Sequence, residues 1–271
     1  MEHYKYVAVV LVYRNVGDLE ECINSIYEKI KDSKIIVVNS YYNEASKEKI
    51  KQVAINNNCA FINVDNKGYS YGNNRGIEYV REHYDYEYII VSNPDITIGQ
   101  FNDAQIEQYP EYGIIAPRIV ARFGRLQNPM TIVRSKLSER LEYIGYKNNS
   151  KMLIIMGIAI GKIRRTIAVV AHRKNDEPYQ IYAAHGSFVI ISKSTINILY
   201  PIYDENLFLF AEEGVLACRA KQAGVKTGQF DSIVINHKED GSMKLSSLSL
   251  NVELKKANIY YYENYVLGNK H

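Results

Sequence analysis

The sequence predicts an α/β fold built on a mostly parallel central sheet flanked by helices. Three observations carry that expectation. Short apolar runs alternate with amphipathic stretches through the first hundred residues. The first run is apolar nearly throughout, as a strand covered on both faces must be. Each run ends in Gly, Asn, Asp or Pro, the residues that punctuate turns. The resulting β-α-β-α-β-α-β order fits parallel strands, which need a helix-length crossover between them.

Taken in order, residues 6–13 (YVAVVLVY) form the first strand, closed by Asn15 and Gly17. Leu19, Cys22, Ile23, Ile26 and Ile30 then recur at helical spacing, with Asp18 standing where a cap belongs. Residues 34–38 (KIIVV) are the second strand, 44–57 a helix and 60–64 (AFINV) the third strand. A Gly-rich turn precedes a helix over about 72–83, with Ile77 and Val80 inward. Residues 87–91 (EYIIV) make a fourth strand that Pro94 stops, because proline lacks the donor a ladder needs. Residues 112–120 contain a short strand, and about 129–150 reads as helix. The apolar segment 152–161 (MLIIMGIAIG) is too short to cross a bilayer. Two fates stay open for it: burial in the core or a subunit contact, and contact with a membrane interface. Residues 182–192 turn at Gly186 and enter a strand, and 211–224 is helical up to a Gly224 C-cap. A last strand covers 230–236, a turn follows at Asp240-Gly241, and about 246–266 forms one or two helices.

Composition narrows the class. With 271 residues, 46% of them hydrophobic and 23% charged, the chain can bury a substantial core, which excludes a disordered or collagen-like protein. Cys22, Cys59 and Cys218 offer neither a disulfide framework nor a zinc spacing, so a reducing, cytoplasmic setting is expected. The N-terminus, with an acid before its short apolar run, reads as a strand and not as a secretion signal. Between Arg118 and Lys174, thirteen basic residues face two acidic ones, on a chain whose net charge is only +3. A basic middle on an acidic body points to an anionic partner. No helix-turn-helix, zinc or RNP pattern supports nucleic acid as that partner.

Ligands of open α/β sheets bind beyond the carboxyl ends of the parallel strands, so the loops there are the candidate site. They are Tyr13-Arg14-Asn15, Asn39-Ser40, the 66–76 segment and Ser92-Asn93-Pro94-Asp95. The third holds three glycines and three asparagines, including Asn66, Gly68, Asn73 and Asn74, but neither GxGxxG nor a Walker A pattern. Asp95 suits a hard divalent cation, and capping the next segment explains it almost as well. Glu212-Glu213 open a helix, where the dipole alone favours acids. They also follow an aromatic-aliphatic run, a border that can raise a carboxyl pKa toward that of a general base. His237 follows a strand as a candidate metal or phosphate ligand, and His185 stands beside Gly186 as a candidate donor on the acceptor side.

The ordered set resembles glycosyltransferase family 2, and within it the bacterial rhamnosyltransferase-like branch. The likeness runs through VYRN (12–15), VVNS (37–40), NKGY (66–69), NNRG (73–76), SNPD (92–95), Gly186-Ser187 and YDENLFLFAEE (203–213). It ends with Arg219, Ala223-Gly224, His237 and Gly241-Ser242, and is weakest over 120–175. The resemblance implies a GT-A fold: a nucleotide-sugar-binding half (1–117), an acceptor-binding half with the basic insertion (118–245) and a helical extension (246–271). It implies a UDP- or dTDP-sugar donor, a divalent Mn2+ or Mg2+, and inversion at the anomeric carbon. The acceptor it implies is a glycan or lipid-linked oligosaccharide in bacterial capsule or O-antigen synthesis, at the inner face of the membrane. Residue by residue, Asp95 takes the place of the last acid of the metal motif, and His237 that of a late metal or diphosphate ligand. Tyr13, Asn15, Asn39, Asn66, Gly68, Asn73, Asn74 and Asn93 would line the donor. Glu213 matches the catalytic base, with Glu212 beside it. Three positions depart from the family: Asn39 and Glu213 stand where Asp is usual, and Val215 where an acid often follows. A homodimer through 152–161 or the C-terminus is a further expectation. The rival reading is a sugar-nucleotide-binding protein that transfers nothing.

Overall fold

The computed structural model describes residues 1–172, 177–239 and 249–268. Its first half runs β1 (Glu2–Val12), α1 (Leu19–Lys29), β2 (Ser33–Ser40), α2 (Glu44–Asn56), β3 (Ala60–Val64), α3 (Tyr69–His83), β4 (Tyr84–Ser92) and β5 (Ile96–Gln100). After α4 (Asp103–Gln108) and β6 (Tyr112–Ala121) come α5 (Lys136–Lys147), α6 (Lys151–His172), β7 (Tyr179–Ile181) and β8 (Phe188–Ser192). The chain continues through α7 (Lys193–Leu199), α8 (Glu212–Gln222), β9 (Lys226–His237) and α9 (Leu250–Tyr261), which passes into a π-helical turn at Tyr262–Val266.

The strands join in one sheet ordered β3-β2-β1-β4-β8-β6-β9-β5, with β7 also paired to β9. The period of two explains how the sheet is covered. Tyr6, Ala8, Val10 and Val12 of β1 pack with Ile23 and Ile26 of α1 and Ile50 of α2. Val7 and Val9 face the other way, toward Ile77 and Val80 of α3. A strand buried on both faces is the continuous apolar run that the sequence displays.

The first four strands in the order are parallel, as the alternation requires. Beyond β4 the sheet is mixed: β8 runs antiparallel to both β4 and β6, and β9 is parallel to β6 but antiparallel to β5 and β7. The expected elements hold for β1–β4, β6, β8, β9, α2 and α8, and Gly224 takes the left-handed conformation (φ +73°) just past the end of α8.

Several expectations need correction. Asp18 does not cap α1 through its side chain; its carboxylate accepts from Asn15 Nδ2 at 2.7 Å and Lys238 Nζ at 2.8 Å. The helix expected from residue 72 starts at Tyr69, whose N–H donates to Phe208 O. The helix expected over 129–150 begins only at Lys136, with Ser135 accepting from the Ser138 N–H as its cap. Thr131 instead bridges to Ala183. Burial of 152–161 in the core also fails. The segment is the first half of α6, where Met152, Ile155, Met156 and Ile158 are exposed. It leans on α5 through Gly157, at which a Cβ would lie 2.6 Å from Glu142 Cγ. The turn at Asp240-Gly241, the Gly241-Ser242 pair, Arg173 and Lys174 lie outside the described residues.

The C-terminal helix is tied down by hydroxyls. Tyr260 and Tyr265 both donate to Asp204, Tyr261 donates to Glu139, and the Tyr261 ring lies against Gly214 of α8.

Candidate active site

Two families of loops meet where β4 and β8 lie side by side. β4 ends at Ser92, opposite Phe188 at the start of β8, and the Asn93 N–H donates to Ser187 O at 2.9 Å. The turn His185-Gly186-Ser187 therefore sits at the carboxyl end of β4. Its three residues reach three parts of the candidate site. The Gly186 N–H donates to Glu213 Oε1 at 3.2 Å, and Gly186 O accepts from the Tyr69 hydroxyl at 2.7 Å. The His185 ring lies edge-on to that of His237, centroids 5.9 Å apart.

Glu212 and Glu213 form the first turn of α8. The two residues before them, Phe210 and Ala211, hold φ of +73° and +64°, a left-handed pair without a glycine. Such strain persists only where surrounding packing fixes it, and it clusters at functional sites. The dipole of α8 favours anions at this end, yet burial outweighs it. Desolvation pushes both carboxyls up, and the neighbouring Glu213 charge adds to the effect on Glu212. Glu212 is held well above the carboxylate range, and its Oε2 has no partner. Glu213 is raised too, but backbone N–H groups, including that of Gly186, favour its anion. Two acids pushed apart in this way leave Glu213 as the one that ionises first.

Asp95 and His237 make a buried pair, Oδ1 to Nε2 at 3.3 Å. The tautomer of His237 follows from its other partners. Gln127 Nε2 donates to Glu239 Oε1 at 3.0 Å, which turns Gln127 Oε1 toward His237 Nδ1 at 2.7 Å. Nδ1 thus carries a proton, and Nε2 faces the Asp95 carboxylate. A carboxylate oxygen and an imidazole lone pair repel unless a proton or cation lies between them. A carboxylate oxygen beside an imidazole nitrogen is a donor set that would accept a divalent cation. Among the described residues no group of three or more His, Cys, Asp or Glu could hold a metal. Two protein donors are nevertheless enough for an ion that also binds phosphates and water.

The positions expected to line the donor divide into two groups. Tyr13, Asn15, Asn66 and Asn93 keep some surface. Tyr13 packs edge-on to Tyr42, over which the Arg14 guanidinium stacks at 4.0 Å. Gly68 is buried, at φ +101°, and a Cβ there would lie 2.3 Å from Phe208 O. Asn39, Asn73 and Asn74 have no exposed surface at all. Asn39 donates to Asn63, and its Oδ1 is an unpartnered buried acceptor. Asn73 donates to Tyr69 O. Asn74 accepts from the Tyr203 N–H and donates to Tyr203 O and Glu205. Asn74 is thus an internal brace with both ends of its amide engaged, whereas Asn73, like Asn39, keeps an unpartnered buried Oδ1.

Sequence reasoning missed the residues that orient the site. Gln127 sets His237, and Asn128 accepts from the His185 N–H while donating to Pro117 O. Ser187 donates its N–H to His185 Nδ1, which places the proton of the neutral ring on Nε2. Burial and the adjacent His237 push His185 down to about 4. Tyr69 had a signal, standing in the NKGY motif; Gln127 and Asn128 had none, because their partners lie 110 and 57 residues away.

The Glycosyl transferase family 2 model matches residues 7–140, the stretch from β1 into α5. The hexosyltransferase Agl10 of low-salt glycan biosynthesis in Haloferax volcanii is 26% identical over 225 residues, or 81% of this chain. The chain spans 64% of that relative's length. Among solved structures, GalNAc-T7 with UDP, GalNAc and Mn2+ superposes with a TM-score of 0.63 at 13% identity, covering 96% of this chain and 48% of that one. TarS 1-349 of S. aureus in complex with UDP gives 0.57 at 12% identity, covering 86% of this chain and 60% of that one. The architecture is that of GT-A glycosyltransferases: a mixed α/β fold with a central sheet flanked by helices.

Proposed function

We propose that this protein is an inverting glycosyltransferase that moves a hexosyl or rhamnosyl unit from a UDP- or dTDP-sugar to a hydroxyl of a glycan or lipid-linked oligosaccharide. The observation that carries the reading is the His185-Gly186-Ser187 turn. It holds a raised carboxylate, Glu213, on one side and abuts the Asp95–His237 pair on the other. A transferase needs these two groups on opposite sides of one sugar.

In this reading the Glu213 carboxylate takes the proton of the acceptor hydroxyl as that oxygen attacks the anomeric carbon. Its raised pKa makes it a stronger base than an ordinary carboxylate. The bond to the nucleoside diphosphate breaks on the opposite face, so the anomeric centre inverts without a covalent intermediate. Glu212 stays protonated and keeps a second charge away from the base. Asp95 and His237 would hold a Mn2+ or Mg2+, which when bound supplies positive charge to the departing diphosphate. Tyr13, Asn15, Asn66, Gly68 and Asn93 surround the nucleotide, with the Tyr13–Tyr42 pair and Arg14 as a stacking edge for its base. The half formed by 1–117 takes the donor and 118–245 the acceptor, in surface-polysaccharide synthesis at the inner face of the membrane. Support comes from the family match, from the relative's description as a hexosyltransferase, and from fold neighbours crystallised with UDP and, in one case, Mn2+.

The test is calorimetric titration with UDP-, dTDP- and GDP-sugars, with and without Mn2+, followed by transfer assays on Glu213→Gln. Metal-strengthened binding to one nucleotide is expected. Glu213→Gln is expected to bind donor normally and lose roughly 10²–10⁴-fold in turnover. Near-normal turnover in that variant removes Glu213 as the base. Donor binding without transfer to any acceptor would favour the rival, non-catalytic reading.

A further inference from the structure

α6 runs for 22 residues, about 33 Å, and carries an apolar face that the rest of the described chain leaves open. Met152, Ile155, Met156, Ile163, Ile167 and Val170 follow one another at steps of one, three, four or seven residues, and all are exposed, Ile155 and Ile167 at 65% each. At about 100° per residue they form one stripe along the helix. The same rotation puts Lys151 and Lys162 on one flank of the stripe and Arg164 on the other. The opposite face of α6 is the one that packs. Gly157 and Gly161 approach Ser138 of α5, and Arg165 donates to Leu126 O and Pro129 O.

We propose that this face of α6 is an interfacial helix that seats the protein on an anionic lipid surface. Charge selects the occupant. Among the described residues, exposed Lys136, Arg140, Lys151, Lys162 and Arg164 have no carboxylate partner. The α5–α6 pair holds only two acids, and neither is free: Glu139 is paired with Arg134, while Glu142 is largely buried beside Ser138. Among the described residues of α5 and α6, the open surface therefore presents apolar side chains and cations with no unpaired acid among them. A second copy is the poorer occupant. An isologous dimer would set this patch against itself, bringing like charges together with nothing to neutralise them. Among the described residues no helix is long and apolar enough to cross a membrane, and an interfacial helix with cations at its margins need not be.

The placement also suits the site. The 126–129 loop that Arg165 grips supplies Gln127 to His237 and Asn128 to His185. A surface bound to α6 would thus lie beside the acceptor half. This inference extends the lipid-linked part of the proposed function and rests on it for its purpose. Its test contains neither donor nor acceptor, so the two fail separately.

The chain has no tryptophan, so one can be introduced as the sole reporter. Ile163→Trp reports from the stripe, and Ile55→Trp, comparably exposed on α2, serves as the control. Both are titrated with phosphatidylcholine vesicles, with and without phosphatidylglycerol, carrying brominated acyl chains. Blue shift and quenching are expected at position 163 only, and only with the anionic lipid. Adding Lys162→Glu and Arg164→Glu should lower vesicle partition by at least about tenfold. Sedimentation of the unaltered protein with the same vesicles guards against a misfolded reporter. An unshifted tryptophan at 163 together with no sedimentation overturns the proposal. So does equal quenching at both positions, or a stable dimer by light scattering in which position 163 is already shielded without lipid.

Discussion

Replacing Glu212 by Gln should make the protein more stable at alkaline pH and leave it nearly unchanged near pH 5. Glu212 is buried, its Oε2 lacks a partner, and Glu213 stands beside it. Its folded pKa is raised above the ordinary value of 4.5. An acid raised in this way favours the folded state fully below its unfolded pKa and loses that contribution as pH climbs to the folded pKa. Native protein keeps its proton over that window while the unfolded chain releases it, so stability falls with pH. Glutamine cannot titrate and escapes the loss. Keeping that proton costs the native state about 1.4 kcal/mol for each pH unit above the unfolded pKa, up to the folded one, so a gain of about 2 kcal/mol at pH 8 is the working figure. For a chain of this size that is roughly 4–8 °C in Tm. Thermal melts of both proteins at pH 5 and pH 8 measure it. A Tm gap that is the same at both pH values, or a wild type that is the more stable at pH 8, refutes the placement of a strained acid at 212.

Three other substitutions probe the frame around the site. Gly68→Ala forces a Cβ to within 2.3 Å of Phe208 O at a left-handed φ, and should cost at least about 2 kcal/mol by urea unfolding while weakening UDP binding. Asn74→Ala strips the partners from the Tyr203 N–H and carbonyl, and should destabilise by roughly 2–4 kcal/mol with little change in the donor affinity of the folded protein, read by calorimetry. Gln127→Leu frees His237 to take the other tautomer. It should lower the Mn2+ affinity of the UDP-bound protein by about 10–100-fold in a titration followed by electron paramagnetic resonance, with Tm shifted far less than in Asn74→Ala.

Local pattern made the first four strands and their helices legible, because burial on both faces forces continuous apolar runs and packing on one face forces helical spacing. β5 escaped because five residues after a proline carry almost no pattern, and their partner, the end of β9, lies about 140 residues away. The start of α3 was misread for a more instructive reason. Gly72 and Gly76 look like turn residues, but a Cβ at Gly76 would lie 2.3 Å from Val9 Cγ1 and one at Gly72 2.5 Å from Leu11 Cδ1. They are glycines because α3 lies unusually close to the sheet. α6 is not legible as a helix because the apolar run to residue 161 hides a stripe that continues in phase through Ile163, Ile167 and Val170. At the site, Asp95, Glu213 and His237 stood out by residue type and order. The atoms that orient them did not, since Gly186 meets Glu213, and Gln127 meets His237, only in the folded chain.

The change of strand direction at β4 is what allows these groups to meet. β4 runs parallel to β1 and delivers Asn93 and Asp95 at its carboxyl end. A fifth parallel strand beside it would bring its own carboxyl end there, and the turn leading into it would lie at the far edge of the sheet. β8 instead runs antiparallel, so its leading turn arrives beside Asp95, with the Ser187 carbonyl accepting from the Asn93 N–H. That turn carries the Gly186 N–H that fixes Glu213 and the His185 ring that meets His237. Open sheets bind ligands where their topology changes, because the connections part there and leave a crevice. Here the same change determines which residues meet: a parallel strand delivers Asn93 and Asp95 from one side, and the lead-in to an antiparallel strand delivers His185 and Gly186 from the other.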